Sequence, residues 1–111
     1  MIKLVGTWHI PDTRTPEKIG AHYFAVHVSN LRALPKLRRH VVPKATETPE
    51  GGELPTWRGA EVGSDNREDF HAAIASPEWT KIAADGFMPL VAGLETDVFE
   101  VEEEFKPDEQ A

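Results

Sequence analysis

Apolar and polar positions alternate from Ile2 to His9. Ile2, Leu4, Gly6 and Trp8 fall on one side and Val5, Thr7 and His9 on the other, which reads as a strand. Pro11 and Asp12 end it. Thr15-Pro16-Glu17 is a helix start, with a hydroxyl cap, proline in the first turn and an acid behind it. The helical period carries this segment from Pro16 to about Leu31. It places Ile19, Tyr23, Val26 and Asn30 in one buried stripe, with His27 and His22 on opposite shoulders about 140° apart. Arg38 to Lys44 reads as a second strand, Ala45 to Pro55 as a loop and Thr56 to Gly63 as a third strand. Ser64 or Asp65 is expected to cap a helix to about Ala75. Ser76-Pro77-Glu78 starts a shorter one through Trp79 and Ile82, closed by Gly86. Alternation from Thr96 to Phe105 predicts the last strand.

The order strand, helix, strand, strand, helix, strand predicts an α+β fold of the ferredoxin-like βαββαβ type, a four-stranded antiparallel sheet with the helices on one face. The other face then carries apolar side chains such as Val5, His9, Ala60 and Val62, or their opposite-face neighbours. A second copy packed face to face would cover them, so a homodimer is expected.

At 111 residues the chain has room for one domain, expected over 1–106 with 107–111 a loose acidic tail. It contains no cysteine, which excludes a disulfide, a thiolate metal site and a cysteine nucleophile. From Glu95 onward eight acids stand against Lys106 alone, so the first 94 residues are balanced in charge. An acidic end on a neutral body disfavours nucleic acid and anionic membrane as partners, and the basic cluster Arg32, Lys36, Arg38, Arg39 is short and has few aromatics nearby. No apolar run reaches membrane-spanning length, and Met1 to Trp8 lacks the layout of a signal peptide, so a cytoplasmic location is expected.

Met1-Ile2-Lys3-Leu4-Val5, Pro11-Asp12, Thr15-Pro16-Glu17 and Tyr23-Phe24-Ala25-Val26-His27 resemble the opening of the EthD family, within the dimeric α/β-barrel superfamily. The likeness continues in Leu34-Pro35-Lys36-Leu37-Arg38-Arg39 and Ala75-Ser76-Pro77-Glu78. The chain departs from the family at Val28-Ser29-Asn30, where members often have proline, and at His40, where they often have tyrosine. The resemblance implies a dimer with an apolar cavity between the first helix and the sheet in each protomer, and related enzymes that act on small ring compounds without metal or organic cofactor.

His27 matches the family's helix histidine. Its neutral-range pKa suits it to carry a proton between two positions of a substrate, with Tyr23 one turn earlier to orient it or hold an oxygen. The competing reading makes His27 a structural histidine bonded to a carbonyl. His9 and His40, on strands, are candidates for the same cavity, and Trp57 and Trp8 for the faces that hold a ring. His22 and His71 read as solvent-side positions. Metal binding is not expected, because His22 and His27 at i, i+5 diverge on an α-helix and there is no His-x-His pair. Two functions follow: a cofactor-independent isomerase or lyase on a cyclic aromatic-derived or lactone-type compound, or a binding protein that carries a hydrophobic ligand for a catabolic oxygenase. Haem degradation and a sealed structural dimer are further alternatives.

Overall fold

The structure, a computed structural model, describes residues 1–11, 13–52 and 57–110, the side chains of residues 57, 109 and 110 excepted. Strand β1 (Ile2–His9) leads to α1 (Pro16–His22), a π-helical turn (Tyr23–His27) and α2 (Val28–Arg32), which run on as one rod. Strands β2 (Arg39–Val41) and β3 (Trp57–Ser64) follow, then α3 (Arg67–Ile74), α4 (Pro77–Ala83), a 3-10 turn (Met88–Leu90), β4 (Ala92–Glu100) and α5 (Pro107–Gln110). The strands form one four-stranded sheet in the order β2-β3-β1-β4. All of its pairings are antiparallel. This is the ferredoxin-like α+β architecture expected from the order of elements.

Local chemistry sets most of the boundaries. Thr15 accepts the Lys18 N–H and Pro16 occupies the first turn of α1. Ser76 does the same for α4, accepting from the Trp79 N–H. The cap of α3 is Asn66, whose side chain accepts from the Asp69 N–H, rather than Ser64 or Asp65. Ser64 is instead paired with Ile2 at the end of β3.

Two expectations shift. Strand β4 begins at Ala92 and ends at Glu100, several residues ahead of the expected Thr96 to Phe105. Glu100 lies opposite Ile2, and the Val101 N–H bonds to the Met1 carbonyl, so the strand stops where its partner runs out of chain. Strand β2 is shorter than expected, Arg39–Val41, with only an isolated bridge from Lys44 to Arg58 beyond it.

Register decides the two faces. Leu4 lies opposite Val62, Gly6 opposite Ala60 and Trp8 opposite Arg58, so these residues share the helix-facing side. Ala60 and Val62 therefore lie under the helices, not on the outer face with Val5 and His9. Leu31, Leu34, Val62, Ala73 and Ile82 form one buried cluster beneath the helices. Trp8, Ile19, Tyr23, Val28 and Phe87 form a second. The outer face carries Val5, Thr7 and the pair Lys3–Glu61, whose Nζ and Oε1 are 2.8 Å apart.

Candidate functional site

The π-turn organises the site. Within it the Val28 N–H reaches back five residues to the Tyr23 carbonyl. One extra residue in the turn retards the helical phase, so positions five apart come onto one side. The buried face of the rod is accordingly Ile19, Tyr23, His27, Val28 and Leu31, while Val26, expected in the stripe, is 37% exposed. His22, read as a solvent-side residue diverging from His27, has its Nε2 buried and acts electrostatically on His27. His71 is exposed, as expected.

His27 is 7% exposed and its ring stacks on Phe87 at 4.3 Å between centroids. Its Nδ1 lies 2.6 Å from Oδ2 of Asp85, a carboxylate whose side chain is 3% exposed. The same oxygen accepts from the Asn30 side-chain amide at 3.2 Å, and Oδ1 accepts from the Phe87 N–H at 3.0 Å. A carboxylate only accepts, so His27 carries its proton on Nδ1 and presents a bare Nε2 when neutral. Burial pushes the His27 pKa below its ordinary value; the hydrogen bond and charge of Asp85 pull it back only in part, and His22 lowers it further. The imidazole is thus a neutral base at pH 7 whose orientation is fixed by a buried acid.

Tyr23 contacts His27 at 5.6 Å and Trp8 at 5.3 Å between ring centroids. Its hydroxyl is buried without a hydrogen-bond partner among the described residues. Burial raises its pKa to about 12, against the lowering effect of Arg32, so the phenol keeps its proton. His40, opposite Val62, is on the helix-facing side. Its Nδ1 accepts from Arg32 Nε at 3.3 Å, which puts the proton of the neutral ring on Nε2, another buried atom without a partner among the described residues. Burial, then Arg32 and His27, lower the His40 pKa.

Two cavities meet at Trp8. The inner one, about 70 Å³, is bounded by His27, Phe87, Trp8, Gly6, Ala60 and Thr96. Gly6 stands opposite both Ala60 and Thr96, so three small side chains on neighbouring strands leave the space under the imidazole. The outer one, about 240 Å³, lies among Trp8, Ile19, Tyr23, Val42, Lys44 and Arg58.

Trp8 lines both cavities, Tyr23 the outer one and His27 the inner one, while His40 lies within electrostatic reach of His27 but lines neither. His9 is not brought to them. Strand alternation turns it to the face away from the helices, and it lines neither cavity. The side chain of Trp57 lies outside the described residues, as does part of the expected 45–55 loop. Asp85 was missed, its position between α4 and the Gly86 turn reading only as a helix end; the apolar neighbour Phe87 is the one sign that this acid is buried. Among the described residues no three His, Asp or Glu side chains converge as metal ligands. No described helix is long and apolar enough to cross a membrane.

No protein-family model matches the chain, and no curated protein does. Solved structures do. An ethyl tert-butyl ether D (EthD) family protein from Bacillus halodurans is 24% identical with a TM-score of 0.76, over 91% of this chain and 98% of that one. SnoaB, a cofactor-independent oxygenase from Streptomyces nogalater, is 13% identical with a TM-score of 0.67, over 93% and 94%. A dimeric ferredoxin-like protein of unknown function from Thermobifida fusca is 18% identical with a TM-score of 0.64, over 90% of each chain. Helix, sheet and connection order are thus those of known proteins: the chain has the ferredoxin-like fold, shared with an EthD family protein in agreement with the resemblance in its sequence.

Proposed function

We propose that this protein is an EthD-type enzyme that moves a proton on a small cyclic compound without a cofactor, as an isomerase or lyase. The observation that carries this reading is the buried Asp85–His27 pair at the wall of an apolar cavity. His27 Nε2 takes a proton from a carbon activated by a neighbouring carbonyl; its Nδ1–H stays bonded to Asp85, which stabilises the imidazolium that forms. Isomerisation returns the proton to another carbon, and elimination delivers it to the leaving oxygen, so neither route needs an oxidant. Tyr23 offers an O–H donor for the substrate oxygen, without a partner among the described residues, and Trp8 offers a flat face for the ring. The likeness to a cofactor-independent oxygenase supports small-molecule chemistry in this fold.

The functional unit is a homodimer, and each chain contributes one domain spanning 1–106. The outer sheet face, with Val5, Thr7 and the half-exposed Phe99 opposite Lys3, is the surface a second copy would cover. The dimeric relative from Thermobifida fusca supports this arrangement. The binding-protein reading stays as the alternative, favoured by the Tyr23 hydroxyl at the outer cavity, which would hold a ligand whether or not it reacts.

A thermal-shift screen of phenolic acids, lactones and quinones, followed by mass spectrometry in deuterated water, tests the proposal on wild type and His27→Gln. A compound that stabilises both proteins but is converted or deuterated only by the wild type supports it. Conversion that survives His27→Gln unchanged overturns the mechanism, and ligands that bind both proteins without reacting favour the binding protein.

A further inference from the structure

The rim of the outer cavity holds a feature that the proton-transfer reading does not use. Lys44 and Arg58 both line it, and they face each other across an isolated antiparallel bridge. Side chains directly opposite in such a pair stand about 5 Å apart at Cβ, and like charges there repel. Neither residue has an ion-pair or hydrogen-bond partner through its side chain among the described residues. Among the described residues no acid bounds the cavity. In a chain of net charge −7, two cations held side by side over an apolar pocket, with no acid beside them among the described residues, form a local inversion of charge.

The floor beneath them is aromatic and aliphatic. Arg58 lies opposite Trp8 in the β1–β3 register, so its guanidinium belongs to the same sheet face as the indole. Tyr23, Ile19 and Val42 complete the walls. A volume of about 240 Å³ is at the small end for a ligand pocket, which suits a molecule of one or two rings.

We propose that the outer cavity binds a flat apolar acid, with its carboxylate between Lys44 and Arg58 and its ring against Trp8 and Tyr23. An anion there relieves the repulsion between the two cations and gains charge-assisted hydrogen bonds from both. This deepens the functional reading by naming the substrate class as a ring carboxylate, and it rests on that reading only for what happens after binding.

Calorimetric titration of the purified protein with 2-naphthoate and with the uncharged 2-naphthamide tests it. Naphthoate is expected to bind at least tenfold more tightly than the amide, and to weaken as salt is raised. The double variant K44Q/R58Q should lose tenfold or more in naphthoate affinity while its amide binding stays unchanged and its melting temperature holds or rises, the repulsion between the two cations being gone. Equal binding of acid and amide, naphthoate affinity untouched by the double variant, or no binding of either at millimolar concentration would each overturn the proposal. His27→Gln, titrated in parallel, should keep naphthoate binding. The carboxylate site therefore stands or falls separately from the proton transfer.

Discussion

The two halves of the core are built from different material. The cluster of Leu31, Leu34, Val62, Ala73 and Ile82 is wholly aliphatic; beside Leu34 and Ala73 the void is about 10 Å³, at most the room for one water, while Leu31, Val62 and Ile82 also supply part of the wall of the inner cavity. The cluster of Trp8, Ile19, Tyr23, Val28 and Phe87 is mostly aromatic and borders both larger cavities. Beside it lie the buried Asp85–His27 pair and the unpartnered Tyr23 hydroxyl. Aliphatic side chains interdigitate and close space. Large rigid rings meeting at tilted angles leave gaps, and polar atoms inserted among them must find partners or wait for a ligand. The aliphatic half therefore holds the fold and lends one wall to the inner cavity, and the aromatic half gives up packing to keep a site open.

The sharpest way to break that contrast is to alter the polar pair. His27→Gln keeps a hydrogen-bonding side chain beside Asp85 but removes the base, so turnover should fall about 10²–10⁴-fold with little change in melting temperature. Asp85→Asn should do comparable harm, because an amide can donate to Nδ1 and so turn the proton of the imidazole to Nε2. Steady-state kinetics on any substrate found in the screen, with thermal melts alongside, checks both. If either variant loses stability and activity in step, the pair is structural.

The aliphatic half should respond the other way. Ile82, 3% exposed, is expected to cost about 2–5 kcal/mol as Ile82→Ala, read from chemical denaturation, with affinity for a ligand of the outer cavity, which it does not line, retained below the melting temperature.

Acid should act on the aromatic half through its histidines. His27 and His40 titrate below the ordinary value of 6.5 in the folded chain, so unfolding takes up protons in that window. Stability should therefore fall as pH drops from neutral through 6.5 and level off once pH lies below the folded values. His27→Gln should reduce that slope. The rate should show a single acid limb with an apparent pKa below 6.5, since the base must be unprotonated.

Two smaller changes sharpen the comparison. Tyr23→Phe removes a buried hydroxyl without a partner and should leave stability unchanged or raise it by about 1 kcal/mol, while weakening ligand binding. Gly6→Ala meets Thr96 Cγ2 at 3.5 Å and the Glu95 carbonyl oxygen at 3.8 Å, both ordinary contacts. It should stabilise by about 0.5–1 kcal/mol and shrink the inner cavity, an effect visible as lower affinity without unfolding.

The elements that the sequence predicted well are those whose signals are local. Thr15-Pro16 and Ser76-Pro77 cap their helices because capping needs only a hydroxyl and the next few amides. The alternation of Ile2 to His9 gave both the strand and its two faces, and hence the separation of Trp8 from His9. Tyr23, His27, His40 and Trp8 were identifiable as candidates from residue type and from the family resemblance.

Tertiary structure decided what depends on residues far apart. The end of β4 follows from where β1 begins, a pairing across almost the whole chain. The π-turn, which brings His22 to the side of His27, leaves no mark in a pattern read at 3.6 residues per turn. The partnership of Asp85 with His27 spans 58 positions, and an aspartate ahead of a glycine looks the same whether it is solvated or buried. The opposition of Lys44 and Arg58 is likewise a product of strand register. Local sequence fixes which conformation a segment prefers. Charge, burial and proton position depend on what folding brings within a few ångströms, and that is a property of the assembled chain.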